Sequence, residues 1–348
     1  MTVQAATDRH RDLWQRFVAS RGLPHLFDWR WRGIVERTFA HEACYLLHFS
    51  NDALTGIMPT FKVHSIFSGC SIVSMPYLNG GGAIVDTETA CRELYAEVES
   101  LIVNDKLASA EIRCFEEQKC LDGRWRPRNH KVLSYLPLPN DPDRLFASFP
   151  AKLRSQVRRP LREGATVNID LGCDDYSSRL IGFYDVFAHN MRDLGTPVYP
   201  MKLFDETLRS FGREAALATV WLDGRAIAGG ICVWSASEAE IIWASSLRQY
   251  ARIAPNMLLY GSLLRFFCEQ KIPKFNFGRS SLDSGVLRFK DQWGAEHVPM
   301  WWYAFSEKNA IADVSLANPR FKLATTVWKS MPLAMTKKIG PWLTASLP

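Results

Sequence analysis

The chain has 348 residues, of which 47% are hydrophobic and 22% charged, and its formal net charge is +6. This composition excludes a disordered or collagen-like chain, and the length favours two domains over one. The mildly basic balance suits an anionic small molecule, a nucleic acid or an anionic membrane surface, and it selects none of them.

The first half predicts strands and one long helix. In chain order the pattern predicts a hairpin at 43–63, a strand at 71–78, a helix at 87–106 and a strand at 109–115. Leu94, Val98 and Leu101 recur at helical spacing, and the Thr87 hydroxyl can cap the first turn. This half therefore predicts a sheet with a helix packed on it.

The second half repeats this order of elements. Its pattern predicts a hairpin at 218–235, a strand at 240–246, a helix at 256–270 and a closing strand at 274–278. The repetition indicates an α+β (α/β mixed) fold of two lobes, each a mixed, largely antiparallel sheet flanked by helices. We expect the lobes to span 1–150 and 151–306, and a basic, aromatic tail at 307–348 to pack on the second lobe as a helix.

Several classes of site lack their usual motifs. The eight cysteines form no CxxC pair and no zinc spacing, so we expect reduced, mostly buried thiols and no metal site. Walker A, HExxH and GxSxG motifs are absent, and the glycines at 80–82 do not open a helix as a dinucleotide-binding loop would. The N-terminus has no signal-peptide core, and glycines and a proline break the uncharged run at 64–85, so we expect a cytoplasmic protein without a membrane span.

The stretch FNFGRSSLDSGVLRFKDQWGAE, residues 275–296, is the most informative part of the sequence. A strand ends here, and Gly278 allows a turn. Asp283 or Ser284 can cap a helix that begins at Val286. The pattern therefore predicts a strand, a glycine-containing turn and a short helix.

Cations surround the start of this predicted helix. Arg288 and Lys290 are expected in its first turns, where they oppose the helix dipole, and Arg279 precedes it. A sequence that tolerates such a conflict is typical of an anion site built from helix amides and basic side chains. The alternative is that these cations pair with the carboxylates of the same stretch.

A second basic stretch, residues 151–164, lies between the two lobes. Five cations occur within eleven residues and can neutralise a polyphosphate or an RNA backbone: Lys152, Arg154, Arg158, Arg159 and Arg162. The alternative is a solvated linker face. Aromatic residues do not interleave at stacking spacing, so we expect no sequence-specific reading of nucleic acid and no DNA partner.

The loop from Pro76 to Gly82 follows a predicted strand and is rich in glycine. We expect it to expose backbone amides where the sheet opens, which makes Tyr77, Asn79, Gly80 and Gly81 candidate substrate contacts. The alternative is a plain turn.

Two further basic regions have simpler explanations. Arg192 lies near the end of a predicted helix, where a cation is electrostatically favourable, and it is also a candidate substrate contact. The tail carries Lys329, Lys337, Lys338 and Trp342, which can give a weak membrane-surface contact or can simply solvate a helix face.

Six motifs distributed over nearly the whole chain carry a family resemblance: SMPYLNGGG (74–82), KLRSQVRRPLREG (152–164), NMRDLGTPVYP (190–200), WASSLRQYARIAPNMLLY (243–260), FNFGRSSLDSGVLRFKDQWGAE (275–296) and NPRFKLATTVWKSMPLAMTKKIGP (318–341). They resemble the Fem family of peptidyl- and aminoacyl-transferases, and within it the FemAB-like proteins associated with exosortase/PEP-CTERM exopolysaccharide systems. The resemblance implies two tandem GNAT-like lobes.

The resemblance also implies acyl or aminoacyl transfer to an amine in cell-envelope or exopolysaccharide assembly, with no metal and no tightly bound cofactor. A Phe-Lys pair in Fem transferases is linked to stabilising the transition state, and the matching pair is Phe289 and Lys290. Lys290 is expected to stabilise the oxyanion, and Asp283 is a candidate general base. The candidate substrate-binding residues are Arg279, Ser280, Arg288, Arg154, Arg158, Tyr77, Asn79, Gly80, Gly81 and Arg192.

Donor and acceptor stay open at this point. The possible donors are aminoacyl-tRNA, acyl-coenzyme A and acyl carrier protein. The loop LRQYARIAPNM lacks the glycines that hold a coenzyme A pyrophosphate, so coenzyme A is not favoured over the others. The chain also lacks the coiled-coil insertion of relatives that bind tRNA, so aminoacyl-tRNA is not favoured either. The acceptor is expected to be a small-molecule or glycan-linked amine. For location, peripheral contact at the inner membrane face is the alternative to a purely cytoplasmic protein. The rival function is a non-catalytic protein that holds a phosphorylated glycan-lipid or a partner protein.

Overall fold

The computed structural model describes residues 2–66, 69–129, 131–307 and 322–347. The chain divides into two compact units: unit 1 is Met1–Val132, Pro299–Asn318 and Leu343–Pro348, and unit 2 is Leu133–Val298 and Pro319–Trp342. These limits differ from the lobes 1–150 and 151–306 expected from the sequence. One reason is that the strand Trp301–Phe305 pairs with strands of unit 1.

The strands in chain order are β1 (Thr2–Ala5), β2 (Glu42–Ala43), β3 (Leu46–Ser50), β4 (Ala53–Met58), β5 (Thr60–Ser65), β6 (Gly69–Ser74), β7 (Ile84–Val85), β8 (Ser109–Cys114), β9 (Arg126–Arg128), β10 (Lys131–Pro137), β11 (Thr166–Leu171), β12 (Ala215–Leu222), β13 (Arg225–Trp234), β14 (Ala239–Ser246), β15 (Lys274–Ser281), β16 (Glu296–Pro299) and β17 (Trp301–Phe305). The helices are α1 (Arg11–Ser20), α2 (Arg30–Phe39), α3 (Glu88–Asn104), α4 (Pro142–Ser148), α5 (Ala151–Arg162), α6 (Ser177–Leu194), α7 (Met201–Phe211), α8 (Pro255–Glu269), α9 (Gly285–Asp291), α10 (Lys322–Ser330) and α11 (Leu333–Thr344).

Unit 1 contains two sheets, ordered β1-β3-β4-β7 and β2-β5-β6-β8-β17-β9. The predicted hairpin at its start is β3–β4, and the turn residues Asn51 and Asp52 both have positive φ. The predicted helix is α3, whose Thr87 cap accepts a hydrogen bond from the amide of Ala90 at 3.1 Å. Pairing is antiparallel except between β6 and β8, which are parallel.

One expectation about the cysteines is wrong. Cys91 of α3 and Cys120 of the loop after β8 form a disulfide, so not all eight thiols are reduced. The packing of α3 beside this loop brings the two sulfurs together although 29 residues separate them in the chain.

Unit 2 is built on one seven-stranded sheet, ordered β11-β12-β13-β14-β15-β10-β16. Pairing is antiparallel from β11 to β14 and parallel between β14 and β15. Ala228 of β13 packs in the core that contains α8, whereas a Cβ at the adjacent Gly229 would lie 2.8 Å from Phe183 of α6. Because successive strand residues point to opposite faces, α8 and α6 cover different faces of this sheet. The predicted α+β fold with largely antiparallel sheets is confirmed.

Two basic segments of unit 2 are helical. In the basic stretch 151–164, α5 occupies most of the residues and buries Leu153, Val157 and Pro160 on one face. The tail forms the two helices α10 and α11, and Trp328 donates to the carbonyl of Thr196 at 3.1 Å. Residues 308–321 of the predicted tail lie outside the described residues. Within the described part of the chain, no helix combines the length and apolar content needed to cross a bilayer.

Candidate functional site

The sheet of unit 2 opens between β14 and β15. These strands pair in parallel only where Ala239 faces Phe275 and Glu240 faces Asn276. Beyond Glu240 the two strands, both fully described, share no further register pairs. Crevices at the carboxyl ends of parallel strands are common ligand-binding positions in α/β sheets, so this opening is the candidate site.

Lys290 lies beside this opening with its ammonium group pointing inward. The residue is only 2% exposed, and Nζ donates to the carbonyl of Gly278 at 2.6 Å and to that of Arg279 at 3.2 Å. Burial lowers the pKa of Lys290 to about 7, and the nearby carboxylate of Glu240 partly opposes this shift. The side chain therefore changes charge close to neutral pH, which is typical of groups at functional sites.

A buried hydrogen-bond network holds β15 in place next to Lys290. Asn276 donates to Glu238 at 3.1 Å and accepts from the amide of Gly278 at 2.8 Å. Lys274 pairs with the other oxygen of Glu238 at 2.9 Å. Sequence reasoning did not select Asn276, Glu238 or Glu240, although polar residues within or beside strongly apolar strands are the signal that could have identified them.

Two buried polar atoms near the opening have no protein partner within the described residues. Ser280 is 5% exposed on β15, and its hydroxyl makes no hydrogen bond there. The side-chain oxygen of Asn256, at the start of the helix that follows β14, is also buried without a partner. Buried polar groups are normally satisfied, so these two atoms suit hydrogen bonds to a ligand.

The expected conflict between α9 and its cations is not present. The helix has seven residues, and Arg288 and Lys290 lie in its last turn, where positive charge is favourable. Ser284 caps the helix through the amide of Leu287 at 3.1 Å, while Asp283 lies on the preceding turn with φ of 59° and an exposed side chain. The cations of α9 therefore give no reason to expect an anion site at the N-terminus of this helix, and an anion contact from Arg279 or Arg288 stays a prediction.

The remaining predicted residues of this region surround Lys290 in different ways. Phe289 is half-buried, and its ring packs edge-on against Tyr260 with centroids 4.9 Å apart. Arg279 is half-exposed on β15, and Arg288 is exposed. The structure thus brings Lys290, Phe289, Arg279 and Ser280 to one strand–helix junction.

Arg154 and Arg158 lie elsewhere in unit 2, on a groove of about 800 Å³. Its apolar wall comes from α4, α5, α8 and β11 and includes Phe146, Leu161, Val167, Ile169, Leu258 and Phe266. Arg154 donates to the carbonyls of Ala147 and Phe149 at 3.1 and 3.0 Å, whereas Arg158 is exposed. The charged lining residues are Arg154, Arg158, Arg265, Asp143 and Glu269, and Arg265 pairs with Asp143 at 3.1 Å. The groove therefore combines an apolar wall with a rim of mixed charge.

Gly261 allows α8 to approach α5 beside this groove. A Cβ there would lie 2.7 Å from a methyl group of Val157. We expect Gly261→Ala to lower the free energy of unfolding by about 1–3 kcal/mol, because overpacking forces the helices apart. Urea denaturation of the variant checks this, with Ser262→Ala on the next position as control; a Gly261→Ala protein as stable as wild type would contradict the contact.

The predicted loop residues of unit 1 are packed rather than open. Tyr77 is 6% exposed, and its ring stacks on Phe39. Its hydroxyl lies 2.7 Å from Nε2 of His41. Burial, and to a lesser extent the charge of His64, lowers the pKa of His41 to about 4. Gly80 and Gly81 are buried, and Asn79 is half-buried.

Close packing explains these glycines. A Cβ at Gly80 would lie 2.5 Å from Phe115, and one at Gly81 would lie 2.2 Å from Met75. The amide of Gly81 donates to the carbonyl of Arg113 at 3.0 Å. The expectation of exposed amides in this loop is therefore wrong, and its role as a substrate contact stays a prediction.

Arg192 is in the last turn of α6 and pairs with Asp193 at 3.0 Å. This arrangement matches a helix end stabilised by a cation. A contact from Arg192 to substrate stays a prediction.

A Ser-His-Asp chain occurs near the far edge of the same sheet. His297 lies 3.0 Å from the hydroxyl of Ser134 through Nδ1 and 2.6 Å from Asp291 through Nε2. Ser134 is fully buried on β10, which lies on the other side of β15 from the opening. We therefore assign the hydrogen bonds between Ser134, His297 and Asp291 to fixing β16 rather than to nucleophilic catalysis. Within the described residues, no group of three or more His, Cys, Asp or Glu side chains could hold a metal ion.

Comparison with known proteins agrees with this geometry. Residues 151–291 match the acetyltransferase (GNAT) domain family. The matched segment runs from α5 to α9 and thus contains the opening, Lys290 and the part of the groove formed by α5, α8 and β11. No curated protein matches the sequence.

Solved structures extend the GNAT-like similarity to both halves of the chain. FemX is 14% identical, with a TM-score of 0.60 over 93% of this chain and 100% of that one. L-PGS from Bacillus licheniformis is 14% identical, with a TM-score of 0.54 over 87% and 97% of the two chains. A tandem GNAT protein from the clavulanic acid biosynthesis pathway is 13% identical, with a TM-score of 0.54 over 90% and 99%. At these identities the similarity shows a tandem GNAT-like fold.

Proposed function

We propose that unit 2 transfers an activated acyl or aminoacyl group to an amine at the opening between β14 and β15. The observation that carries this proposal is the buried ammonium of Lys290, fixed by the carbonyls of Gly278 and Arg279 beside the opening. An ammonium has three N–H groups, and within the described residues two bonds go to these carbonyls. The third N–H suits a substrate oxygen.

The proposed reaction is direct attack by the acceptor nitrogen on the acyl carbon. The carbonyl oxygen gains negative charge as the new C–N bond forms, and Lys290 stabilises that charge. The bond from the acyl carbon to the leaving group then breaks, the electron pair leaves with that group, and the nitrogen loses a proton. Asp283, on the exposed turn before α9, stays a predicted base for this proton.

The proposal of a Fem-like transferase in a particular cellular process rests on the sequence motifs, and the fold supports it. FemX and L-PGS share the tandem GNAT-like fold, which fits a Fem-like transferase. We place the reaction in cell-envelope or exopolysaccharide assembly, with the exosortase/PEP-CTERM association as part of the same proposal. The donor is an aminoacyl-tRNA, an acyl-coenzyme A or an acyl carrier protein, and the acceptor is a small-molecule or glycan-linked amine.

A donor screen tests the proposal. The protein is incubated with each of the three donor classes and a mixture of amines that includes an amino sugar, and mass spectrometry follows the amines. Transfer predicts a mass gain equal to the acyl group on at least one amine, absent without protein. Tight binding of a phosphorylated glycan-lipid with no mass gain from any donor would instead support the non-catalytic binding protein.

The groove supplies a second test, because the exposed Arg158 on its rim suits a phosphate of the donor or acceptor. We expect Arg158→Glu to raise KM for the phosphorylated substrate about tenfold with little change in kcat, since the lost charge pair acts on binding rather than on the reacting atoms. Arg159→Glu is the matched control, because Arg159 is exposed on the same helix but does not line the groove. Equal effects of both substitutions would show that only overall charge matters.

A further inference from the structure

The outward side of α10 and α11 is unusually apolar. Leu323 and Val327 of α10 are 76% and 53% exposed, and Met335 and Trp342 of α11 are 48% and 61% exposed. A group of large, exposed apolar side chains on a protein surface normally marks a contact with a partner or a membrane. We call these four residues, with the exposed Lys338, the outer face.

The opposite side of the two helices fixes this orientation. Trp328 is buried and donates to the carbonyl of Thr196. Lys337 forms an ion pair with Asp185, and a Cβ at Gly340 would lie 2.7 Å from Val198. Because these contacts within unit 2 already use the inner side of the helices, the apolar residues of the outer face cannot turn inward without breaking them.

The charge of this segment has one sign. Residues 322–347 contain four lysines and no aspartate or glutamate. On α11, Met335, Lys338 and Trp342 follow each other at spacings of three and four residues, so they form one stripe. A stripe of apolar, indole and ammonium groups matches the interface of an anionic bilayer, where apolar side chains enter the acyl boundary and lysines meet the headgroups.

We propose that the outer face binds the surface of an anionic lipid bilayer, with α10 and α11 lying in the interface plane. The charge favours this occupant over a second copy of the chain, since two copies of the outer face would bring like charges together. Each lysine near an anionic surface raises the binding constant about fivefold, and burial of Trp342 and Leu323 adds the larger, salt-independent part. The protein would then work at the membrane surface, whatever its substrate.

Vesicle co-sedimentation tests the proposal with the full chain. Wild type is expected to sediment with vesicles of phosphatidylcholine mixed with phosphatidylglycerol, to bind pure phosphatidylcholine much more weakly, and to lose part of its binding at high salt. Leu323→Ser combined with Trp342→Ser should reduce partitioning at least tenfold. Lys338→Glu should weaken the preference for the anionic lipid.

Ile181→Ser is the matched control, because Ile181 is 57% exposed on α6 of the same unit but lies outside the outer face. Thermal unfolding of every variant should match wild type, since all the substituted side chains are exposed. Equal binding to both vesicle types, or unchanged binding of the serine double variant, would overturn the proposal. So would a dimer in sedimentation velocity that Trp342→Ser dissociates. None of these readouts needs a donor, so the result is independent of the transferase proposal.

Discussion

Replacing Lys290 with methionine is expected to lower the turnover of acyl transfer about a hundredfold, because the oxyanion loses its one fixed cation. Methionine keeps most of the buried volume, and the residue is 2% exposed, so the side chain stays in the same pocket. The measurement is kcat with the donor that the screen identifies. Lys271→Met is the matched control, since Lys271 is exposed on a turn of the same unit. Unchanged turnover of Lys290→Met would remove this residue from the chemistry.

The stability of the same variant reports the charge state of Lys290. Its pKa falls from 10.5 to about 7 in the folded chain, so between these values the unfolded chain binds one proton more than the folded chain. The free energy of unfolding of wild type should therefore rise with pH relative to Lys290→Met, by up to ~1.4 kcal/mol per pH unit in this window. Urea denaturation of both proteins near pH 7 and near pH 9 checks this sign. A difference that does not change with pH would mean that Lys290 titrates normally.

Asn276→Leu is expected to lower the free energy of unfolding by about 2–4 kcal/mol. The leucine leaves the amide of Gly278 without its acceptor and removes a donor from the buried carboxylate of Glu238. Because the carbonyl of Gly278 anchors Lys290, transfer should fall together with stability. Denaturant unfolding and kcat on the same preparation measure both effects.

Asn190→Leu is the control for this substitution. Asn190 is half-exposed in the same unit and donates one hydrogen bond, to Ser245 at 3.0 Å. Its loss should cost about 1 kcal/mol, because a single hydrogen bond between neutral groups is removed. Equal losses in the free energy of unfolding for the two variants would show that the network around Asn276 contributes no more than one ordinary hydrogen bond.

Local patterns predicted the fold of this chain well. The hairpins β3–β4 and β12–β13 and the cap at Thr87 all follow from residues within a few positions of each other. Turn and cap preferences act locally, so the sequence expresses them directly. The repeated order of elements then led to the tandem fold.

Features that depend on packing could not be predicted in the same way. The cations of α9 occupy a favourable position because the helix has only seven residues and ends at Asp291, which places Arg288 and Lys290 in its last turn. Gly80 and Gly81 allow close contacts with the side chains of Phe115 and Met75, respectively. Phe115 is distant from Gly80 in the sequence, and the contact between Met75 and Gly81 depends on how the loop between them folds. The bonds of Lys290 to β15 likewise join groups 11 and 12 residues apart, which only the folded chain brings together.

The most direct measurement is the ratio of single-turnover transfer rates of wild type and Lys290→Met as a function of pH. The acceptor amine titrates equally in both reactions, so the ratio reports the charge on Lys290 alone. With a pKa of about 7, an ammonium that stabilises the oxyanion predicts a large, constant ratio below that pH and a decline of about tenfold per unit above it. A ratio that rises above pH 7 would make the neutral amine of Lys290 a base, and a ratio near one at every pH would exclude it from the reaction.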